Sequence, residues 1–182
     1  KIQKYKKIIK FVYQNSPKGT GDAVLKTEKL IKDKFFLMLL PDDLIIKRNC
    51  SKDMLTIYNK KKCSVMASMK VNRKTVNRWG IYSKKSNINK NNFFIKDVIE
   101  KPSINSAPST NAVIGRYILP KKIFTKLKSQ KKGKGDEIHI TDAIRRLIID
   151  GEKFIGHSFK GKYLDCGTLN GYIKSSQEIY KL

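Results

Sequence analysis

Residues 35–43, Phe-Phe-Leu-Met-Leu-Leu-Pro-Asp-Asp, constrain this chain more than any other stretch. Six apolar residues run directly into a proline and two adjacent carboxylates. A continuous apolar run of that length, closed by turn formers, reads as a strand buried on both faces of a mostly parallel sheet. Pro41 has no N–H to give and suits the point where the ladder stops. Asp42 and Asp43 are then expected just past the carboxyl end of a central strand, the edge at which open α/β sheets bind ligands. Two neighbouring acids repel each other and lose hydration unless a cation neutralises them, which points to a divalent metal. A solvated β-turn with Asp at its first positions is the alternative.

The flanking sequence alternates strand and helix patterns. Residues 8–13 (I-I-K-F-V-Y) are β-branched and aromatic and predict a buried strand. A loop dense in turn formers follows from Gln14 to Gly21, and Thr20 or Asp22 is expected to cap the next helix. Strand, glycine loop and helix together suit a phosphate, because glycines let backbone approach closely and a helix N-terminus favours anions. Ser51 is expected to cap a helix through Tyr58. Strands are expected over 63–71, from Trp79, over 93–99, over 112–119 and over 154–159. Pro120 is expected at the first position of a helix. Thr141 is expected to cap a helix that Gly151 closes. A strand from Lys162 to Asp165 precedes a last helix from Leu169. The class is α/β, with helices flanking a mixed, mostly parallel sheet.

Charge and cysteines bound the function classes. The chain has 182 residues, enough for one domain, and a net charge of +25. Such an excess raises nucleic-acid or anionic-membrane binding in general. Here the lysines spread over nearly every segment, and Lys, Asn and Ile, all with A/T-rich codons, are abundant together. A compositional habit explains that pattern better than a nucleic-acid motif. Cys50, Cys63 and Cys166 are odd in number and lack metal-ligand spacing, which fits a reducing cytoplasm. No apolar run approaches the roughly 18 residues of a membrane span.

Four clusters sit at expected strand ends: Gln14 with the glycine loop, Asp42-Asp43, Glu100-Lys101 and Asp165. With their neighbours they resemble the sugar-1-phosphate nucleotidyltransferases. The matching words are Q-N-S-P-K-G-T-G-D-A-V at 14–24, L-L-P-D-D-L-I at 39–45, R-W-G-I at 78–81 and V-I-E-K-P at 98–102. A-P-S at 107–109, V-I-G-R-Y-I-L-P at 113–120, D-E-I-H-I-T-D-A at 136–143 and D-C-G-T-L-N-G-Y at 165–172 complete the series. The P-D-D-L-I and G-R-Y words favour the uridylyl branch over the thymidylyl and adenylyl branches.

The resemblance implies a Rossmann-like nucleotidyltransferase fold and transfer of a uridylyl group from UTP to glucose 1-phosphate, with Mg²⁺ as cofactor. It puts Gln14 and Gly19 at the pyrimidine base. It makes Asp42 a metal ligand, Asp165 the second acid of the metal site and Asp43 a residue near the sugar. Gly80, Glu100 and Val113 match sugar-binding positions, and Lys101 matches the lysine that holds the phosphate of the sugar phosphate. Lys101 and Asp42 are the residues expected to carry catalysis. His139 and His157 are expected to have no catalytic part. The family commonly forms homo-oligomers; no nucleic-acid or membrane partner is implied, and the implied location is cytoplasmic.

Departures accompany the likeness. Thr20 and Asp22 stand where the family commonly has Leu and His, and Thr110 where Asn is frequent. The family's opening G-x-G-T-R loop and its P-K segment do not occur in the chain. Residues 1–182 are therefore expected to form the C-terminal part of a single nucleotidyltransferase domain, incomplete at its N-terminus and inactive alone. The alternatives are a thymidylyl- or adenylyltransferase on a sugar 1-phosphate, and a non-catalytic basic module that binds nucleotide or nucleic acid.

Overall fold

The segment N-A-V-I-G-R-Y-I-L-P is buried at nine of its ten positions and forms the strand that three neighbours share. The computed structural model describes residues 2–182, so Lys1 lies outside it. The strands are β1 (Phe35–Leu39), β2 (Asp43–Ile46), β3 (Ser64–Lys70), β4 (Gly80–Asn87), β5 (Asn92–Glu100), β6 (Asn111–Pro120), β7 (Phe154–Ser158) and β8 (Lys162–Asp165). The helices are α1 (Thr20–Lys26), α2 (Cys50–Lys61), α3 (Ile123–Lys128), α4 (Ile140–Ile149) and α5 (Leu169–Tyr180). The main sheet runs β1-β6-β3-β7-β5-β4, and a bridge Ile81↔Ala112 joins β4 back to β6. β2 and β8 form a separate two-stranded ladder.

Alternation along the strands sorts side chains onto two faces. On β3, Met66 joins the core beneath α1, α3 and α4, while Val65 and Ala67 join the core beneath α2. On β6, Val113, Tyr117 and Leu119 face the first core, and Ile114 and Ile118 the second. α4 buries Ile140, Ala143, Ile144 and Leu147 at helical spacing against the first core. Each fully buried Ile or Leu side chain of this kind contributes about 1.5–3 kcal/mol. Gly151 follows α4 at φ +92° and ends it as expected.

The mixed, helix-flanked α/β class agrees with the sequence reading, but two features correct it. β3 and β7 pair parallel, and every other pairing among the described residues is antiparallel, so the sheet is not mostly parallel. Residues 35–39 are not a central strand. β1 ends the sheet, paired antiparallel to β6, with Leu37 and Leu39 exposed. The apolar run promised burial on two faces; β6, whose run is broken by Gly115 and Arg116, takes the central place instead.

Local readings also shift. Residues 8–13 form no strand, and Ile8, Phe11 and Tyr13 are exposed, because no described strand lies beside them to complete a ladder. Asn49, not Ser51, caps α2, accepting from Lys52 N–H at 3.0 Å. α1 begins after Gly19 with no side-chain cap from Thr20 or Asp22. Pro120 closes β6 opposite Phe35 and does not open α3. His139, not Thr141, holds the cap position of α4.

Candidate active site

The turn Leu40-Pro41-Asp42 carries the chain from β1 into β2. Leu40 N–H donates to Gly115 O at 2.9 Å, and Arg116 Nη1 donates to Leu40 O at 3.0 Å, so β6 fixes the turn from both sides. Asp43 opens β2 and pairs in register with Asp165 of β8. The acid pair thus divides: Asp43 is buried inside a ladder, while Asp42 stays exposed in the turn.

Asp43 Oδ2 accepts Gly115 N–H at 2.6 Å, and Asp43 Oδ1 accepts the Tyr163 hydroxyl at 2.5 Å. A Cβ at position 115 would lie 2.5 Å from Asp43 Oδ2 and from Leu40, so only glycine admits this contact. Burial pushes the Asp43 carboxyl above its usual range; the Tyr163 and Gly115 bonds pull the other way. Burial, reinforced by the bond to Asp43, raises the Tyr163 phenol as well.

Asp42 and Asp165 meet at Gly167. A Cβ built there would lie 2.7 Å from Asp42 Oδ2 and 3.4 Å from Asp165 Oδ1. Cys166 N–H donates to Asp42 O at 2.8 Å, and Gly167 N–H donates to Asp165 Oδ1 at 3.0 Å. Arg78 Nη2 lies 3.2 Å from Asp165 Oδ2 and leaves the Asp42 carboxylate unpaired among the described residues. No group of three or more His, Cys, Asp or Glu ligands occurs among the described residues.

The opposite wall comes from β4, β5 and β6. Gly80 pairs in register with Glu100. A Cβ on Gly80 would approach Val113 Cγ2 to 3.1 Å and Glu100 Oε2 to 3.2 Å, so Glu100 and Val113 bracket it. Lys101 follows β5 at φ +42°, a left-handed conformation that a long side chain occupies at a cost of order 1–3 kcal/mol. Its backbone is pinned there: Lys101 N–H donates to Trp79 O at 3.0 Å, and Lys134 Nζ donates to Lys101 O at 2.5 Å. Neither Glu100 nor Lys101 has an ion-pair partner among the described residues, which separates them from an ordinary surface salt bridge.

These walls enclose a cleft of about 460 Å³ that Asp42, Asp43, Gly80, Glu100, Lys101, Val113 and Asp165 all line. Gln14 and Gly19 do not line it; they belong to the loop whose next residue, Thr20, does. That loop is strapped to the segment before α4. Ile138 N–H donates to Lys18 O at 2.8 Å, and Gly21 N–H donates to Ile138 O at 2.7 Å. Gly19 adopts φ +98°, and a Cβ there would meet Ile138 O at 2.7 Å. Gln14 Nε2 closes the loop by donating to Gly19 O at 3.1 Å and to Asp22 Oδ2 at 2.7 Å.

Sequence reasoning missed Tyr163, Gly115, Arg78 and Thr141, which also line the cleft. Period-two alternation back from Asp165 would have put Tyr163 on the same face. Nothing local marks Gly115 as the donor to Asp43, 72 residues away. His139 lines the cleft too, with Nε2 at 2.7 Å from Lys134 O, a contact that orders the preceding loop.

The sequence aligns with a UTP–glucose-1-phosphate uridylyltransferase of Pseudomonas aeruginosa, with 37% identity over 94% of this chain and 62% of the relative. The chain thus spans about three fifths of the length of that relative. A structure of UDP-glucose pyrophosphorylase complexed with UDP-glucose superposes with a TM-score of 0.90 at 39% identity, covering 99% of this chain and 70% of that one. UTP-bound UGPase from Acinetobacter baumannii superposes at 0.76 with 30% identity, covering 90% and 57%. No helix is long and apolar enough to cross a membrane among the described residues. With residues 1–181 matching the family described as Nucleotidyl transferase, and with a fold shared in detail with UDP-glucose pyrophosphorylase, the chain belongs to the nucleotidyl transferase family.

Proposed function

We propose that the protein transfers a uridylyl group from UTP to α-D-glucose 1-phosphate, giving UDP-glucose and pyrophosphate, and that residues 1–182 form part of one nucleotidyltransferase domain. The observation that carries this reading is the convergence of Asp42, Asp165, Gly80, Glu100, Lys101 and Val113 on one cleft from four strands and two adjoining turns. The names of the relatives support the choice of substrates.

In this reading a phosphate oxygen of glucose 1-phosphate attacks the α-phosphorus of UTP. The bond from that phosphorus to the bridging oxygen breaks, and pyrophosphate leaves with the electron pair. No covalent enzyme intermediate is required, so catalysis is positioning and charge neutralisation. Lys101 holds the attacking phosphate in line; its ammonium has no competing ion pair among the described residues, and its backbone is locked. Glu100 accepts from sugar hydroxyls beside Gly80 and Val113, where the missing side chain of Gly80 leaves room for a ring. Asp43, anchored by Gly115 and Tyr163, closes the sugar side with its remaining lone pairs. Gln14 and Gly19 hold the base at the strapped loop.

Asp42 and Asp165 are the residues that would hold Mg²⁺. Two carboxylates flanking one glycine, with no third protein ligand among the described residues, fit an ion bound through one or two carboxylates plus substrate phosphates and water. Bound there, the ion supplies charge neutralisation on the triphosphate and polarises the phosphoryl oxygens. Arg78 holds the other Asp165 oxygen and keeps that carboxylate oriented.

Pyrophosphate release by the full-length protein, supplied with glucose 1-phosphate and in turn UTP, dTTP or ATP, tests the proposal. UTP should be the preferred donor. Preference for dTTP or ATP with UTP inert would move the protein to another branch of the family, and inertness with all three would remove the enzymatic reading.

A further inference from the structure

The carboxamide of Gln14 has only one orientation open to it. Its Nε2 donates to Asp22 Oδ2 at 2.7 Å and to Gly19 O at 3.1 Å. A carboxylate and a peptide carbonyl are both acceptors only. Turning the amide over would set Oε1 against two oxygens, so the chemistry of the neighbours decides its orientation. Asp22 is itself held: it is 6% exposed, sits in the first turn of α1, and has Lys26 Nζ 3.6 Å from its Oδ1. Both N–H groups of Gln14 are therefore spent inside the loop. What remains for a ligand is Oε1, an acceptor.

We propose that Asp22 is a specificity-determining positioning residue, which fixes Gln14 so that its carbonyl, not its NH₂, meets the nucleobase. The inference rests on the uridylyltransferase reading and narrows it. A fixed acceptor pairs with the N3–H of uracil or thymine. Cytosine offers an acceptor at N3, so the same contact would bring two lone pairs together and leave both without a donor, a costly arrangement once water is excluded. A side chain at position 22 that carried a donor as well as an acceptor would enforce no single orientation of the neighbouring amide. The aspartate, an acceptor only, does.

The test is calorimetric titration of the full-length protein with UTP, CTP and N3-methyl-UTP, repeated for Asp22→Asn. The methylated nucleotide keeps the uracil carbonyls and loses only the N3 donor, so it probes the Gln14 contact without any mutation. The unaltered protein should bind UTP at least about tenfold more tightly than either analogue, as expected where a site built for a hydrogen-bond donor meets a ligand without one. An asparagine at 22 offers either an oxygen or an NH₂ and releases the amide of Gln14. In that variant the UTP-to-CTP ratio should fall toward unity, chiefly by a gain for CTP. A purely structural Asp22 would instead weaken all three ligands together and leave the ratio unchanged, which would overturn the proposal. Equal binding of UTP and N3-methyl-UTP by the unaltered protein would overturn it too, even if the variant fails to fold. Absence of binding by any of the three nucleotides would sink the uridylyltransferase reading itself.

Discussion

Tyr163 donates its hydroxyl to Asp43 Oδ1 at 2.5 Å, while the other oxygen of the same carboxylate accepts the Gly115 N–H of β6. One buried side chain therefore ties the β2–β8 ladder to the main sheet at the floor of the cleft. Removing the hydroxyl leaves a buried carboxylate oxygen short of a donor, which costs about 1–3 kcal/mol. Tyr163→Phe should lower the unfolding free energy by that amount in a urea titration, with an unchanged m-value. A loss below a few tenths of a kcal/mol would mean that water replaces the hydroxyl and that the tie is not structural.

Glu100 and Lys101 are neighbours in sequence but differ in backbone setting, and the proposed function gives them different work. Glu100 belongs to β5 in register with Gly80, whereas Lys101 has already turned left-handed out of the strand. Glu100→Gln should mainly raise the KM for glucose 1-phosphate, because it weakens contacts to hydroxyls present before and during reaction. Lys101→Ala should lower kcat/KM by about 2–4 kcal/mol, the scale of a lost charged contact in the transition state. Small and equal effects of both substitutions on steady-state kinetics would return the pair to the status of surface charges.

Among the described residues Asp42 is the unpaired acid of the two at Gly167, since Arg78 already engages Asp165. Asp42→Asn should cut kcat on the order of a hundredfold or more, with the melting transition preserved because Asp42 is exposed. Turnover should be most sensitive at limiting Mg²⁺. Near-normal activity of the variant under that limitation would take Asp42 out of the metal site.

The words of the sequence placed the cleft better than they placed the sheet. Asp42, Gly80, Glu100, Val113 and Asp165 were legible because each lies in a short motif at a strand end, and such motifs survive misjudged topology. Strand order was not legible, because the pairing partner of a strand is a long-range fact. Residues 35–39 carry more apolar character than 111–120, yet β6 is central because β1, β3 and β4 all pair with it. Residues 8–13 have the composition of a strand and no described neighbour to pair with. The Asp43–Gly115 and Gln14–Asp22 contacts escaped for a similar reason. Each depends on where a backbone returns, and the sequence displays only the residue types.

His157 gives a pH dependence that is separate from the cleft. It lies in β7, 7% exposed, with Nδ1 2.7 Å from Asn92 Oδ1 and Nε2 buried without a partner among the described residues. Burial lowers its pKa below the ordinary 6.5; Asp53 acts in the opposite sense, and Arg48 adds to the lowering. The folded protein thus keeps the imidazole neutral at a pH where the unfolded chain already takes a proton. Below about 6.5 the unfolded state binds more protons than the folded one, so this group's contribution to stability is full above that pH and is lost as pH falls toward the folded pKa. The slope from one such group cannot exceed about 1.4 kcal/mol per pH unit. Urea titrations of the unaltered protein should show stability declining from pH 7 to pH 5.5. His157→Gln, compared over the same range, should remove that part of the decline, whatever constant cost the substitution adds at every pH. An identical slope in both proteins would assign the acid sensitivity to other groups and leave the imidazole of His157 free to charge in the folded state.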